Sequence, residues 1–158
     1  MIKIRAHLKK DIPFRVKWLN NKKATIFALD NPNQKTTIAE QEEWFRNYKN
    51  NSNKKFFTIL FNDKPIGFMG LSDIDFNSKK ASVFILIGED NYREKGVGTV
   101  AMNFLIKKAF NDLKLKKLVL EVNKFNVSAI TLYKKIGFKI INKNDKEFCM
   151  TLMRSSYA

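Results

Sequence analysis

Arg93-Glu94-Lys95-Gly96-Val97-Gly98 joins an apolar run to a long amphipathic segment, and its residue types suit one kind of chemistry. Val83-Phe84-Ile85-Leu86-Ile87 is short and wholly β-branched, aromatic or aliphatic, which predicts a buried strand. Val97, Val100, Ala101, Phe104, Leu105 and Ala109 recur at helical spacing, so a helix is expected to begin near Gly96. The first N–H groups of a helix have no partner within it, and the positive end of the helix dipole stands behind them. Glycine lets a ligand come close to the backbone. A strand, a two-glycine loop and a helix start therefore predict an anion site suited to a pyrophosphate. The spacing is not that of a Walker loop, because no Lys-Ser or Lys-Thr follows Gly98. Nor is it a dinucleotide fingerprint, since position 101 is Ala and the preceding strands look antiparallel. Two glycines one residue apart also occur in plain turns.

A second constellation lies further along. Asn126-Val127-Ser128-Ala129-Ile130-Thr131-Leu132-Tyr133-Lys134-Lys135-Ile136-Gly137-Phe138 follows an apolar strand over Lys117–Val122. Asn126 can cap a helix, Ala129, Ile130, Leu132, Tyr133 and Ile136 form its apolar face, and Gly137 ends it.

Taken together, the two motifs resemble the GNAT family of N-acetyltransferases. That family carries Arg-x-x-Gly-x-Gly at its pyrophosphate loop and Asn-x-x-Ala-x-x-Leu-Tyr-x-x-x-Gly-Phe on a later helix. Every specified position is matched here, in the same order, and the family's element order can be read from residue 2 to residue 154. The resemblance implies one α/β (α+β) domain over residues 1–158, with a mostly antiparallel mixed sheet of about seven strands, splayed in the middle and flanked by about four helices. It implies acetyl-CoA as co-substrate, no metal, and direct attack of a primary amine on the thioester within a ternary complex. The pyrophosphate would rest on the backbone of Arg93, Glu94, Lys95, Gly96, Val97 and Gly98, with Thr99 in the first helical turn. The pantetheine arm would run beside Leu86, Ile87 and Gly88 and reach Asn126. Tyr133 would be the general acid, since a phenol of pKa about 10 is protonated at neutral pH and can donate to a thiolate of pKa about 8.5. As residues alone, Tyr133 also reads as an amphipathic packing residue and Asn126 as a plain helix cap.

One position departs from the family. Many relatives carry a glutamate early in the buried strand, where this chain has Ser82, which cannot be a strong base. Asp73, Asp75 and Glu121 are the carboxylates that could replace it, and a water relay is the alternative. His7, the only imidazole, sits on the first strand near Ile2, Ile4 and Leu8 and reads as a packing or surface residue away from the slot.

The remaining elements follow from pattern. Ile2–Leu8 alternates as a strand, Asp11 caps a helix through about Asn20, and Asn31-Pro32-Asn33 is a turn. Thr36–Tyr48 is a helix with Trp44 and Phe45 inward. Phe56–Phe61 and Pro65–Leu71 form a hairpin across Asn62-Asp63-Lys64, and Asn77-Ser78-Lys79-Lys80 turns into a strand at 81–88. A helix over 96–113, a strand over 117–123, a helix over 126–136 and strands over Phe138–Asn142 and Phe148–Met153 complete the sheet.

Composition sets outer bounds. Hydrophobic residues make up 44%, with 14 Phe, which excludes disorder. One Cys and one His exclude a Cys/His zinc site. No long apolar run and no leader-like start are present, so the expected compartment is the cytoplasm, away from membranes. The net charge of +15 is spread evenly, with 15 Lys or Arg in each of 1–79 and 80–158. It matches either biased composition or an anionic partner, and no nucleic-acid motif accompanies it. Trp18-Leu19-Asn20-Asn21 and Glu42-Glu43-Trp44-Phe45 resemble a subgroup acting on nucleotide-linked amino sugars, ribosomal-protein N-termini and polyamines. The basic field favours an anionic small-molecule amine, and so a nucleotide-linked amino sugar. A protein N-terminus comes next, then a polyamine, and a non-catalytic acetyl-CoA-binding module is the non-enzyme alternative. The resemblance leaves room for a homodimer.

Overall fold

Residues 1–29 and 33–157 are described by the computed structural model. Seven strands, β1 (Ile2–Ala6), β2 (Lys55–Phe61), β3 (Lys64–Asp75), β4 (Lys80–Ile87), β5 (Lys117–Asn123), β6 (Lys139–Lys143) and β7 (Glu147–Met153), form one sheet in the order β1-β2-β3-β4-β5-β7-β6. Every neighbouring pair is antiparallel except β4–β5, which is parallel. Among the described residues there are five helices: α1 (Ile12–Leu19), α2 (Lys22–Thr25), α3 (Ile38–Lys49), α4 (Val97–Lys107) and α5 (Val127–Ile136). The helix beyond the expected four is α2, a single turn too short to show a period. The expected turn at Asn31-Pro32-Asn33 falls mostly outside the described residues.

Strand alternation divides the sheet into two apolar faces. Phe57, Ile59, Met69, Leu71 and Val83 face α4 and join its buried Ala101, Met102, Leu105 and Ile106. The alternate residues Phe68 and Leu86 face the other way and hold Trp18 of α1. The β2–β3 hairpin turns on Asn62 and Asp63 with φ 47° and 66°, the two left-handed residues that a type I′ turn requires.

Asp11 does not cap α1 with its side chain, contrary to its position in the sequence. Its buried carboxylate instead accepts from Arg5 at 2.7 and 2.8 Å, from the Leu8 N–H at 2.8 Å and from the Thr58 hydroxyl at 2.8 Å. A charge available nearby outcompeted the helix end.

The feature that makes a site is the parting of β4 from β5. They pair only through Lys80↔Lys117, Ala81↔Leu118 and Ser82↔Val119. Beyond that point β4 follows β3 as far as Ile87, while β5 follows β7 as far as Asn123. Each strand obeys its outer partner, and sheet twist then separates them into a V.

Candidate active site

The V opens into a cavity of about 810 Å³. Its walls bring together Leu86, Ile87, Arg93, Glu94, Gly96, Gly98, Thr99, Asn126 and Tyr133, out of the residues expected at the site. Lys95, Val97 and Gly88 do not line it. Lys95 is exposed, and Val97 is 1% exposed with its side chain in the core.

The two glycines of the loop serve different needs. Gly96 precedes α4 in the left-handed region, φ 80°, and a Cβ there would meet nothing within 4 Å. Conformation alone demands it. Gly98 lies in the first turn, where a Cβ would come 2.9 Å from Leu132 Cδ2 on α5. Space favours glycine at that position, although the contact is with the far end of a flexible side chain that can shift. The first N–H groups of α4 have no partner within the helix, and Gly96, Gly98 and Thr99 line the cavity there.

Arg93 is braced across the loop. Its Nε donates to Ile87 O at 3.2 Å and its Nη1 to Asp90 Oδ1, while Nη2 is buried without a partner. A guanidinium with one unused donor at a helix start suits a phosphate oxygen.

Gly88 corrects an expectation. Its N–H donates to Ile66 O at 2.8 Å, so it is not free to pair with a ligand. A Cβ at Gly88 would overlap the Trp18 ring, which explains glycine there by packing. Trp18 in turn donates Nε1–H to Glu89 Oε2 at 2.6 Å. Burial pushes the Glu89 carboxyl up, but the hydrogen bonds from Trp18 and Lys17 hold it below its ordinary value. Alternation along the β3–β4 ladder, with Gly88 and Leu86 bonded to β3, turns the backbone groups of Val83, Ile85 and Ile87 towards the slot.

Asn126 caps α5, accepting from Ala129 N–H at 3.4 Å, and also lines the cavity. The cap is therefore made, and the residue also faces the space in which a coenzyme arm is expected. Tyr133 is half-buried, its ring 5.9 Å from that of Phe138. Its hydroxyl bonds to none of the described residues, and burial pushes the phenol up to about 12.

Of the carboxylates weighed as bases, Glu121 lines the slot. Asp73 does not, and Asp75 accepts from the N–H groups of Asn77 and Ser78 in a turn. Ser82 is the last residue paired across β4–β5, at the apex of the V. Glu147, which nothing in the sequence marks, lines the cavity opposite Asn123. The other mouth is formed by Lys23, Ala24, Ile26, Phe27 and Ala28, from α2 and the turn after it. Glu42–Phe45 lies elsewhere, and Trp44 stacks on Tyr48 and Phe56, each at 5.4 Å.

His7 is away from the slot, as expected, and 4% exposed. Thr58 gives its hydroxyl proton to Asp11 and accepts from His7 Nδ1 at 2.8 Å. Burial, followed by the charge of Arg15, lowers the imidazole to about 4. Among the described residues there is no group of three or more potential metal ligands and no helix long and apolar enough to cross a membrane.

A strand pair parted over a two-glycine helix start, with an Asn-capped helix carrying a tyrosine beside it, is the arrangement that the GNAT resemblance implies. Residues 2–139 match the Acetyltransferase (GNAT) domain family, and the chain belongs to it. It is an acetyl-CoA-dependent N-acetyltransferase. Among its relatives is the acetyltransferase PseH of Campylobacter jejuni, 31% identical over 150 residues, 93% of this chain and 88% of that protein. The spermidine N(1)-acetyltransferase of Escherichia coli is 24% identical over 147 residues, 93% of this chain and 77% of the relative. The fold matches a Vibrio cholerae spermidine N-acetyltransferase solved with CoA and spermine, with TM-score 0.89 and 23% identity over 99% of this chain and 97% of that one.

Proposed function

We propose that this enzyme, as one cytoplasmic domain over residues 1–158, acetylates the primary amine of a nucleotide-linked amino sugar by direct attack in a ternary complex. The observation that carries the proposal is the continuity of the cavity. Arg93, Glu94, Gly96, Gly98 and Thr99 of the coenzyme loop and the mouth formed by α2 and the turn after it line the same space, so two substrates can meet in it. Acetyl-CoA supplies the acetyl thioester. The N–H groups at the start of α4 and Arg93 Nη2 hold its pyrophosphate, and Asn126 orients the arm. The slot-facing N–H of Ile85 or Ile87 polarises the carbonyl, as an oxyanion donor does.

Glu121 or Glu147 takes the proton that the amine must lose, the nitrogen forms its bond to the carbonyl carbon, and the carbon–sulfur bond breaks. Tyr133 donates a hydrogen bond to the departing sulfur. With its phenol near 12 and a thiol near 8.5, complete proton transfer is uphill, so its donation stabilises developing charge as the bond breaks.

The acceptor class rests on charge. At +15 the protein attracts anions over a range of roughly 8–10 Å, and Lys23 with exposed Phe27 offers a phosphate contact and a stacking face at the mouth. A specific observation favours a second reading, a polyamine: Glu121 and Glu147 make the inner wall acidic. A thiol-release assay with nucleotide-linked amino sugars, N-terminal peptides and spermidine decides between them. The amino sugar is expected to have the highest kcat/KM, falling as salt rises. Spermidine preferred at physiological salt would overturn the acceptor assignment.

A further inference from the structure

The one-turn helix α2 cannot hold itself in place, because a single turn fixes several residues for very few hydrogen bonds. Buried Thr25 and the packing of Ala24 beside Trp18 seat its far end, and Asn21 anchors its start. The Asn21 Oδ1 accepts from Lys23 N–H at 3.1 Å and so caps α2. The Nδ2 of the same side chain donates to Gly88 O at 3.3 Å and to Asp90 Oδ1 at 3.1 Å. That Asp90 oxygen is also the acceptor of Arg93 Nη1. One carboxylate oxygen thus stands between the coenzyme loop and the helix that builds the acceptor mouth.

We infer that Asn21 and Asp90 are positioning residues that couple the two halves of the site, so that filling the coenzyme loop firms the acceptor wall. The inference rests on the proposal that residues 93–98 hold the pyrophosphate. Arg93 and Asp90 form a solvent-washed pair, with side chains 30% and 46% exposed, and such pairs are weak. Arg93 already uses Nε on Ile87 O and Nη1 on Asp90, leaving the buried Nη2 open. A phosphate oxygen on Nη2 pins the guanidinium plane on three sides. The pinned guanidinium fixes Asp90, Asp90 fixes the amide of Asn21, and Asn21 fixes the start of α2. By reciprocity, an acceptor that orders α2 tightens coenzyme binding by the same factor.

Hydrogen exchange of the full chain with and without coenzyme A tests this, comparing the parent with Asn21→Ser and Asp90→Ala. Serine keeps the cap on α2 but is too short to reach Asp90. In the parent, coenzyme A is expected to slow exchange over both 93–99 and 22–28, the latter about fivefold. In both variants protection at 93–99 persists and protection at 22–28 disappears. Their acceptor KM rises about fivefold while kcat at saturation stays within twofold. Protection confined to 93–99 in the parent, or protection of α2 that survives both substitutions, overturns the coupling. No protection at 93–99 in the parent removes the coenzyme-loop reading itself, and the coupling with it.

Discussion

Replacing Tyr133 by Phe removes one oxygen and leaves the ring against Phe138. Because the hydroxyl bonds to none of the described residues, its loss should change stability by less than about 1 kcal/mol. Turnover is where the oxygen matters. A positioned proton donor contributes about 10²–10⁴-fold. Burial has pushed this phenol up to about 12, far above a thiol, which makes full transfer unfavourable and places the expected loss at the lower end, about 10²-fold or 2.7 kcal/mol. The assay is thiol release at saturating acetyl-CoA and acceptor, beside a coenzyme titration. The expected split is a lower kcat with coenzyme affinity within twofold. A phenol near 12 also stays protonated across the working range, so the parent should show no basic limb from this group below about pH 11. Folding follows the same sign: the raised value stabilises the fold below pH 10, and that contribution is lost between about 10 and 12. Turnover of Tyr133→Phe within twofold of the parent would refute the reasoning and leave Tyr133 a packing residue.

Three further outcomes are expected. Gly88→Ala forces the Trp18 ring aside, at a cost of about 1–3 kcal/mol, seen as a lower Tm with a shifted tryptophan emission; an unchanged Tm would remove the packing argument. His7, lowered to about 4, makes the unfolded chain bind more protons between pH 6.5 and 4, so stability should fall through that window by up to roughly 3 kcal/mol. Chemical denaturation at each pH should show this slope flattened in His7→Asn, and an equal slope in both proteins would contradict it. If Glu121 or Glu147 is the proton acceptor, Glu121→Gln or Glu147→Gln should lower kcat about 10²-fold and erase the acid limb of the pH profile, whereas small losses in both point to a water relay.

The strands, the long helices and both motifs were legible because each rests on local pattern: a turn signal ahead of β3, period 3.6 in α4, and a cap with its glycine stop around α5. The splay of β4 from β5 came only through resemblance, since it arises from each strand following a different outer partner. Gly88 shows the limit most plainly. Its place at the end of β4 suggested a ligand contact, yet its small size serves Trp18, far earlier in the chain, and its N–H serves Ile66. Glu147 and the α2 residues reach the cavity by sheet register and by a turn too short to have a period. Asp11 read as a cap because caps are local, and it was drawn away by Arg5 and Thr58, which only the tertiary fold brings to it.

The central claim is that the start of α4 holds the coenzyme, and acetyl-CoA titration of the parent and of Gly98→Asp tests it most directly. An aspartate in the first turn of a helix suits the helix dipole, and the far end of Leu132 can yield to the new Cβ, so the variant should fold. Its carboxylate would stand where a phosphate must approach. The parent should bind and be stabilised in proportion to ligand concentration, and the variant should bind at least about 100-fold more weakly, or 2.7 kcal/mol. A folded Gly98→Asp protein that binds acetyl-CoA as tightly as the parent would place the pyrophosphate elsewhere and contradict the account.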